Sequence, residues 1–223
     1  MKQKVIVFAS GTAQGGGSGF ENLVNHSRGG ELDADIVAVV SNHERGGVHE
    51  RADRLGVPFV YMKDFDALSY KKVVVDFGAE WIALSGWLRK VVGLDSARTF
   101  NIHPALLSFQ NGRFGGPGLF GHHVHDAVKA ALDAGEIAES GPTMHFVTDA
   151  YDRGPIFFEK RIPLVPGMST DDIAHAVNAV EHEWQPKITN LVVHEEIAWD
   201  GKDPASLKVP GGYTHLLNAR SSG

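Results

Sequence analysis

"KVIVFASGTAQGGGSGF" (residues 4–20) decides how the chain is built. Its first seven residues form an almost unbroken apolar run, and a glycine-rich loop follows at once. Apolar residues without polar alternation suit a strand buried on both faces of a parallel sheet. Residues 18–28 then read as a helix. A strand, a Gly-rich turn and a helix make the first half of a βαβ unit.

The pattern repeats downstream. "DIVAVVS" (35–41) reads as a second buried strand, "ERGGVHERADRLG" (44–56) as a helix stopped by Gly56, and "VPFVYM" (57–62) as a third strand. A helix over 66–78 leads to the strand "EWIALSG" (80–86), and "TFNIH" (99–103) follows. The expected fold is α/β: a doubly wound, mostly parallel, Rossmann-like sheet. After the second Gly-rich segment, "QNGRFGGPGLFG" (110–121), a helix over 121–135 carries Val124, Ala127, Val128, Ala131 and Leu132 on one face. "TMHFVTD" (143–149) and "PIFFEKRIPL" (155–164), joined through "DRGP", predict an antiparallel C-terminal addition to the sheet. Ser169, Thr170 and Asp172 supply cap chemistry for a final helix carrying Ile173, Val177, Val180 and Trp184. Pro186 is expected to kink or divide that helix.

Composition narrows the function classes. The 223 residues fit one domain, placed at 1–218, with 219–223 read as a disordered tail or an expression remnant. Net charge is −6 with both signs dispersed, so no basic face points to nucleic acid or a membrane surface. The absence of cysteine excludes disulfides, thiolate metal sites and cysteine nucleophiles. The first residues carry no signal peptide and no segment is long enough to span a bilayer, so a cytoplasmic protein is expected. Monomer and homodimer both stay open.

"TFNIHPALLSF" (99–109) places two strongly polar side chains in an apolar run. Residues i and i+2 of a strand share a side, so Asn101 and His103 project together while Phe100 and Ile102 face away. Pro104 should end the strand. Strand ends of an open α/β sheet are where ligands bind. The amide can donate to an oxygen gaining negative charge, and the imidazole can carry a proton. A carboxylate partner is then needed, and "VTDAYDRGP" offers Asp149 and Asp152.

The Gly-rich loop at 11–19 can cradle a phosphate at a helix N-terminus. Gly11 and Gly16 have the spacing of a Walker A loop, but Gly17 stands where the lysine belongs. A dinucleotide fingerprint counted from Gly15 fails at Phe20. His122, His125 and Asp126 share a helix face, which reads as solvated because no third metal ligand accompanies it. Helical spacing puts Asn178 and Glu181 on one face.

"NIHPALL" combined with "HFVTDAYDRGP" resembles the folate-dependent formyltransferases, in particular those acting on glycinamide ribonucleotide. "SNHERGG", "LSGWLRK" and "AVEHEWQP" extend the resemblance over nearly the whole chain. It implies catalytic roles for Asn101, His103 and Asp152, with Asp152 rather than Asp149 because it precedes the Gly-Pro. The implied reaction is direct formyl transfer from 10-formyltetrahydrofolate to a primary amine, with no metal. Trp87, Leu88, Arg89 and Val91, with Thr148, Asp149, Ala150 and Tyr151, match the folate pocket; Lys90 stands where the family is usually apolar. Gly17, Ser18 and Gly19 match the phosphate loop, although Gly19 replaces an asparagine and "TAQGG" lengthens the loop. Pro104 and Glu181 match acceptor contacts, and Asn178 stands at an acceptor contact where the family has a glutamine. His145 matches a supporting histidine and reads as a buried structural one. The longer loop at 109–121 is a candidate lid.

Three other readings stay open. One is a formyltransferase acting on a different phospho-sugar amine. A second is a formyltetrahydrofolate hydrolase; those carry an N-terminal regulatory module, whereas this sequence opens on the first strand. The third is a non-catalytic, flavodoxin-like nucleotide-binding module, which predicts that Asn101, His103 and Asp152 do not converge.

Overall fold

A computed structural model of the chain describes residues 1–211, so the expected domain end at 218 and the tail at 219–223 lie outside the described residues. β1 (Gln3–Phe8) leads through the first Gly-rich loop into α1 (Ser18–Gly29), followed by β2 (Ala34–Ser41), α2 (Gly47–Leu55), β3 (Phe59–Tyr61) and α3 (Ala67–Asp76). β4 (Trp81–Ser85) and β5 (Thr99–His103) come next, then α4 (His122–Asp133). β6 (Glu139–Ser140), β7 (Thr143–Phe146), β8 (Ile156–Glu159) and β9 (Ile162–Pro163) precede the long α5 (Thr170–Val193).

The main sheet has the order β3-β2-β1-β4-β5-β7-β8. Its first five strands are parallel, and β7 and β8 are antiparallel, as the hairpin pattern required. β1 shows why an unbroken apolar run was needed. Val5 and Val7 pack with Phe20 and Leu23 of α1 and Ile188 of α5. Ile6 and Phe8 pack on the other face with Tyr70 and Val73 of α3. The chain winds outward from β1 to β3, then returns to β4 on the other side of β1. That reversal opens a crevice at the carboxyl ends of β1 and β4, where α/β sheets bind ligands.

Two local expectations are corrected. The second hairpin limb is cut after Glu159: Ile162–Pro163 leaves the main sheet and pairs with β6. Pro163 has no N–H to give a central ladder, and it stands on an edge here. Pro186 does not divide the last helix, which runs unbroken over 24 residues from Thr170 to Val193. Proline at 186 removes the N–H that would bond the carbonyl of His182, four residues back. That carbonyl accepts instead from Asn22 Nδ2 of α1, at 2.7 Å. The exchange ties α5 to α1 directly behind the phosphate-loop candidate.

Asn22→Ala leaves the His182 carbonyl without this donor and is expected to cost about 1–2 kcal/mol of stability. Adding Pro186→Ala restores an intrahelical donor and should recover most of that loss. Urea unfolding of the single and double variants measures both.

Candidate active site

β5 ends at His103, and Pro104 terminates it as the sequence required. Asn101 and His103 both line a cavity of about 770 Å³ at the carboxyl ends of the strands. Asp152 reaches the same place from the β7–β8 connection. Its backbone is left-handed, with φ of 51°, a conformation aspartate tolerates at some cost. The turn aims the carboxylate inward. Oδ2 accepts the Gly116 N–H at 2.8 Å and lies 3.8 Å from His103 Nδ1. Oδ1 lies 3.5 Å from His145 Nε2. Asp149, the other carboxylate offered by the sequence, lies instead beside a small slot.

Carbonyl neighbours fix the proton positions on the two buried imidazoles. His103 Nε2 is 2.7 Å from the Phe114 carbonyl, which can only accept, so Nε2 carries the proton. Nδ1, facing Asp152, is then the free basic nitrogen of the neutral ring. His145 Nδ1 likewise donates to the Phe146 carbonyl at 2.8 Å, leaving Nε2 to accept from Asn101 Nδ2 at 3.2 Å. His145 is buried, as expected from sequence, and sits opposite Asn101 in the β5–β7 ladder, where it holds the amide in place.

The electrostatics pull in opposite directions. Burial pushes the His103 imidazole below its ordinary value, and the Asp152 charge and the Phe114 carbonyl oppose this. His103 therefore rests neutral near pH 7. Burial alone would raise the Asp152 carboxyl, but the neighbouring His145 and His103 rings and the Gly116 N–H outweigh it and hold it at about 2. Asp152 is consequently a fixed negative charge beside a neutral base.

The loop at 109–121 belongs to this centre, since it supplies both the Phe114 carbonyl and the Gly116 amide. On α4, His122 is exposed and pairs with Asp171, and Asp126 accepts from the Thr170 hydroxyl. His125 corrects the solvated-face reading: it is only 8% exposed and lines the cavity. Burial first, then the neighbouring His122 and His103, push its imidazole down to about 4. Among the described residues no group of three metal-ligating side chains forms around it.

Two flanks extend from the centre. On one, the Gly-rich loop runs into α1. Gly17 is its N-cap residue, with φ of 81° and no side-chain cap, so the first-turn amides of α1 open on the cavity through Ser18 and Gly19. Arg51 of α2 braces this loop: Nε donates to the Gly16 carbonyl at 2.9 Å while the guanidinium pairs with Glu21. Pro104, Asn178 and Glu181 line the same cavity, and Asn178 Nδ2 donates to Glu181 Oε2 at 3.2 Å. Burial raises the Glu181 carboxyl to about 7, against the Asn178 hydrogen bond, which lowers it.

On the other flank is a slot of about 60 Å³, lined by Trp87, Arg89, Val91 and residues 147–152. Trp87 Nε1 donates to Tyr70 Oη at 3.1 Å, which fixes the indole plane. Leu88 faces the larger cavity, its N–H bonded to Ser10 Oγ at 2.9 Å. Arg89 stands over the Phe65 ring at 5.1 Å. Thr148, Asp149, Ala150 and Tyr151 line the same slot.

A doubly wound sheet with an amide, an imidazole and a carboxylate meeting between a glycine-rich helix end and a second, smaller slot has the frame of a group-transfer enzyme. The chain belongs to the formyl transferase family, whose description residues 3–189 match. It is 31% identical to the chloroplastic phosphoribosylglycinamide formyltransferase of Arabidopsis thaliana over 210 residues, 89% of this chain and 68% of that one. It is 29% identical to the phosphoribosylglycinamide formyltransferase of Escherichia coli K12, covering 89% of this chain and 94% of that one. Among solved structures, glycinamide ribonucleotide transformylase 1 of Geobacillus kaustophilus aligns with a TM-score of 0.70 at 28% identity, covering 86% of this chain and all of that one.

The raised carboxyl of Glu181 has a measurable consequence. Its folded value lies above the ordinary 4.5, so the stability linked to its proton is full below pH 4.5 and is lost as pH rises through about 7. Glu181→Gln keeps the shape without the charge. It should exceed the parent in stability by about 1–3 kcal/mol at pH 8 and match it near pH 4.5, as read by denaturant unfolding at both pH values.

Proposed function

We propose that this protein transfers the formyl group of 10-formyltetrahydrofolate to the primary amine of glycinamide ribonucleotide. The observation that carries the reading is the meeting of Asn101, His103 and Asp152 at the junction of the two flanks. The names of its relatives supply the acceptor.

The amine nitrogen attacks the formyl carbon, and the carbonyl electrons move onto oxygen. Asn101, held by His145, donates to that oxygen; one such preorganised donor is typically worth about 3 kcal/mol. His103 rests neutral with Nδ1 free, so it accepts the proton that the attacking nitrogen must lose. The imidazolium so formed is stabilised by Asp152 on one side and the Phe114 carbonyl on the other. The tetrahedral species collapses as the carbon–nitrogen bond to the folate breaks, and the proton passes to the departing folate nitrogen. No covalent enzyme intermediate is required.

In this reading Trp87, Leu88, Arg89, Val91 and the wall from Thr148 to Tyr151 hold the folate ring. The amides at Gly17, Ser18 and Gly19 hold the acceptor phosphate, Asn178 and Glu181 its ribose hydroxyls, and Pro104 packs against it.

Tetrahydrofolate release from 10-formyltetrahydrofolate, followed by absorbance, should depend on added glycinamide ribonucleotide. His103→Ala should lower that turnover by about 10³-fold and Asp152→Asn by about 10²-fold, with circular dichroism unchanged. Equal release without the amine would mean hydrolysis and would overturn the assignment.

A further inference from the structure

Gly19 occupies the first turn of α1, and the space beside it is already taken. A Cβ at this position would stand 2.2 Å from Ser85 Oγ and 3.2 Å from Gln185 Oε1. Two polar side chains from distant elements, the end of β4 and the middle of α5, therefore converge on one residue of the helix N-terminus. Both also line the large cavity. Gln185 is only 1% exposed, and its Nε2 has no hydrogen-bond partner. A buried amide donor left unpaired is costly, and an apolar residue would serve packing better.

We infer that Ser85 and Gln185 are acceptor-specificity residues, which extend the helix-end seat with side-chain donors for the phosphate of the amine substrate. A phosphate monoester resting on the first-turn amides of α1 presents several acceptor oxygens, more than the backbone alone can satisfy. Gln185 Nε2 supplies a donor waiting for such an oxygen, and Ser85 Oγ supplies a second. A side chain at Gly19 would collide with Ser85 Oγ and crowd Gln185 Oε1. The seat is thus assembled from three elements rather than from the loop alone. Asn22 and Pro186 bear on it indirectly, since the Asn22–His182 bond fixes the turn of α5 that carries Gln185.

The inference rests on the proposed acceptor site, and the test separates the two. Steady-state kinetics with saturating 10-formyltetrahydrofolate are compared for the parent, Gln185→Leu, Gln185→Glu and Ser85→Ala. Gln185→Leu should raise KM for glycinamide ribonucleotide about tenfold, with kcat within about twofold and KM for the folate unchanged. Gln185→Glu should raise it further, because a carboxylate opposes the phosphate charge, and Ser85→Ala should shift KM in the same direction. Inorganic phosphate should raise the unfolding temperature of the parent and protect Gln185→Leu less, while Gln185→Leu without ligand unfolds no lower than the parent. Unchanged KM and unchanged phosphate protection in Gln185→Leu and Ser85→Ala would overturn the inference, as would a joint fall in kcat and folate binding. A parent that fails to formylate glycinamide ribonucleotide would instead sink the acceptor reading, and the phosphate protection would still decide whether Ser85 and Gln185 form an anion seat.

Discussion

Everything at the centre depends on where the Asp152 carboxylate is held. It is anchored by a backbone amide from one loop, carried by a left-handed turn in another, and aimed between two buried histidines. A carboxylate kept ionised in so enclosed a place needs this many partners, since burial alone would neutralise it. Its charge in turn makes a buried imidazole serviceable. Without it, burial would hold the His103 imidazole further below its ordinary value.

The same centre explains the second Gly-rich segment. Residues 109–121 supply a carbonyl to His103 and an amide to Asp152, so the loop fixes the protonated nitrogen of one and the orientation of the other. The sheet carries the rest: β5 brings Asn101 and His103, the β7 ladder brings His145 opposite Asn101, and the strand-order reversal opens the cleft. Rigid strands place the amide and the imidazole, and loops place the charge and the two flanks. That division suits a reaction in which one carbonyl carbon must meet two different molecules.

Much of the fold could be read from the chain because strands buried on both faces leave unbroken apolar runs, and β1 packs Val5 and Val7 to one side and Ile6 and Phe8 to the other. The Asn101–His103 pair was legible for a related reason: period two puts both on one side of a strand that proline ends. Other features were not, because they depend on distant neighbours. His145 is legible as a buried histidine, but its partner Asn101 is known only once β5 and β7 are paired. His125 follows Val124 on a helix whose next face borders a cavity rather than water, and sequence cannot separate those surroundings. Pro186 predicts a broken helix only while Asn22, far away in the chain, is left out. Ser85, Gln185 and Gly19 carry no local pattern, since their relation is one of packing.

The most direct test of the account is the ionisation of His103, read by carbon-13 NMR of the labelled imidazole across pH. His103 should titrate below the ordinary 6.5 and move lower still in Asp152→Asn, because the carboxylate is the charge that opposes burial. A His103 that titrates at or above 6.5, or that ignores the loss of Asp152, would contradict it.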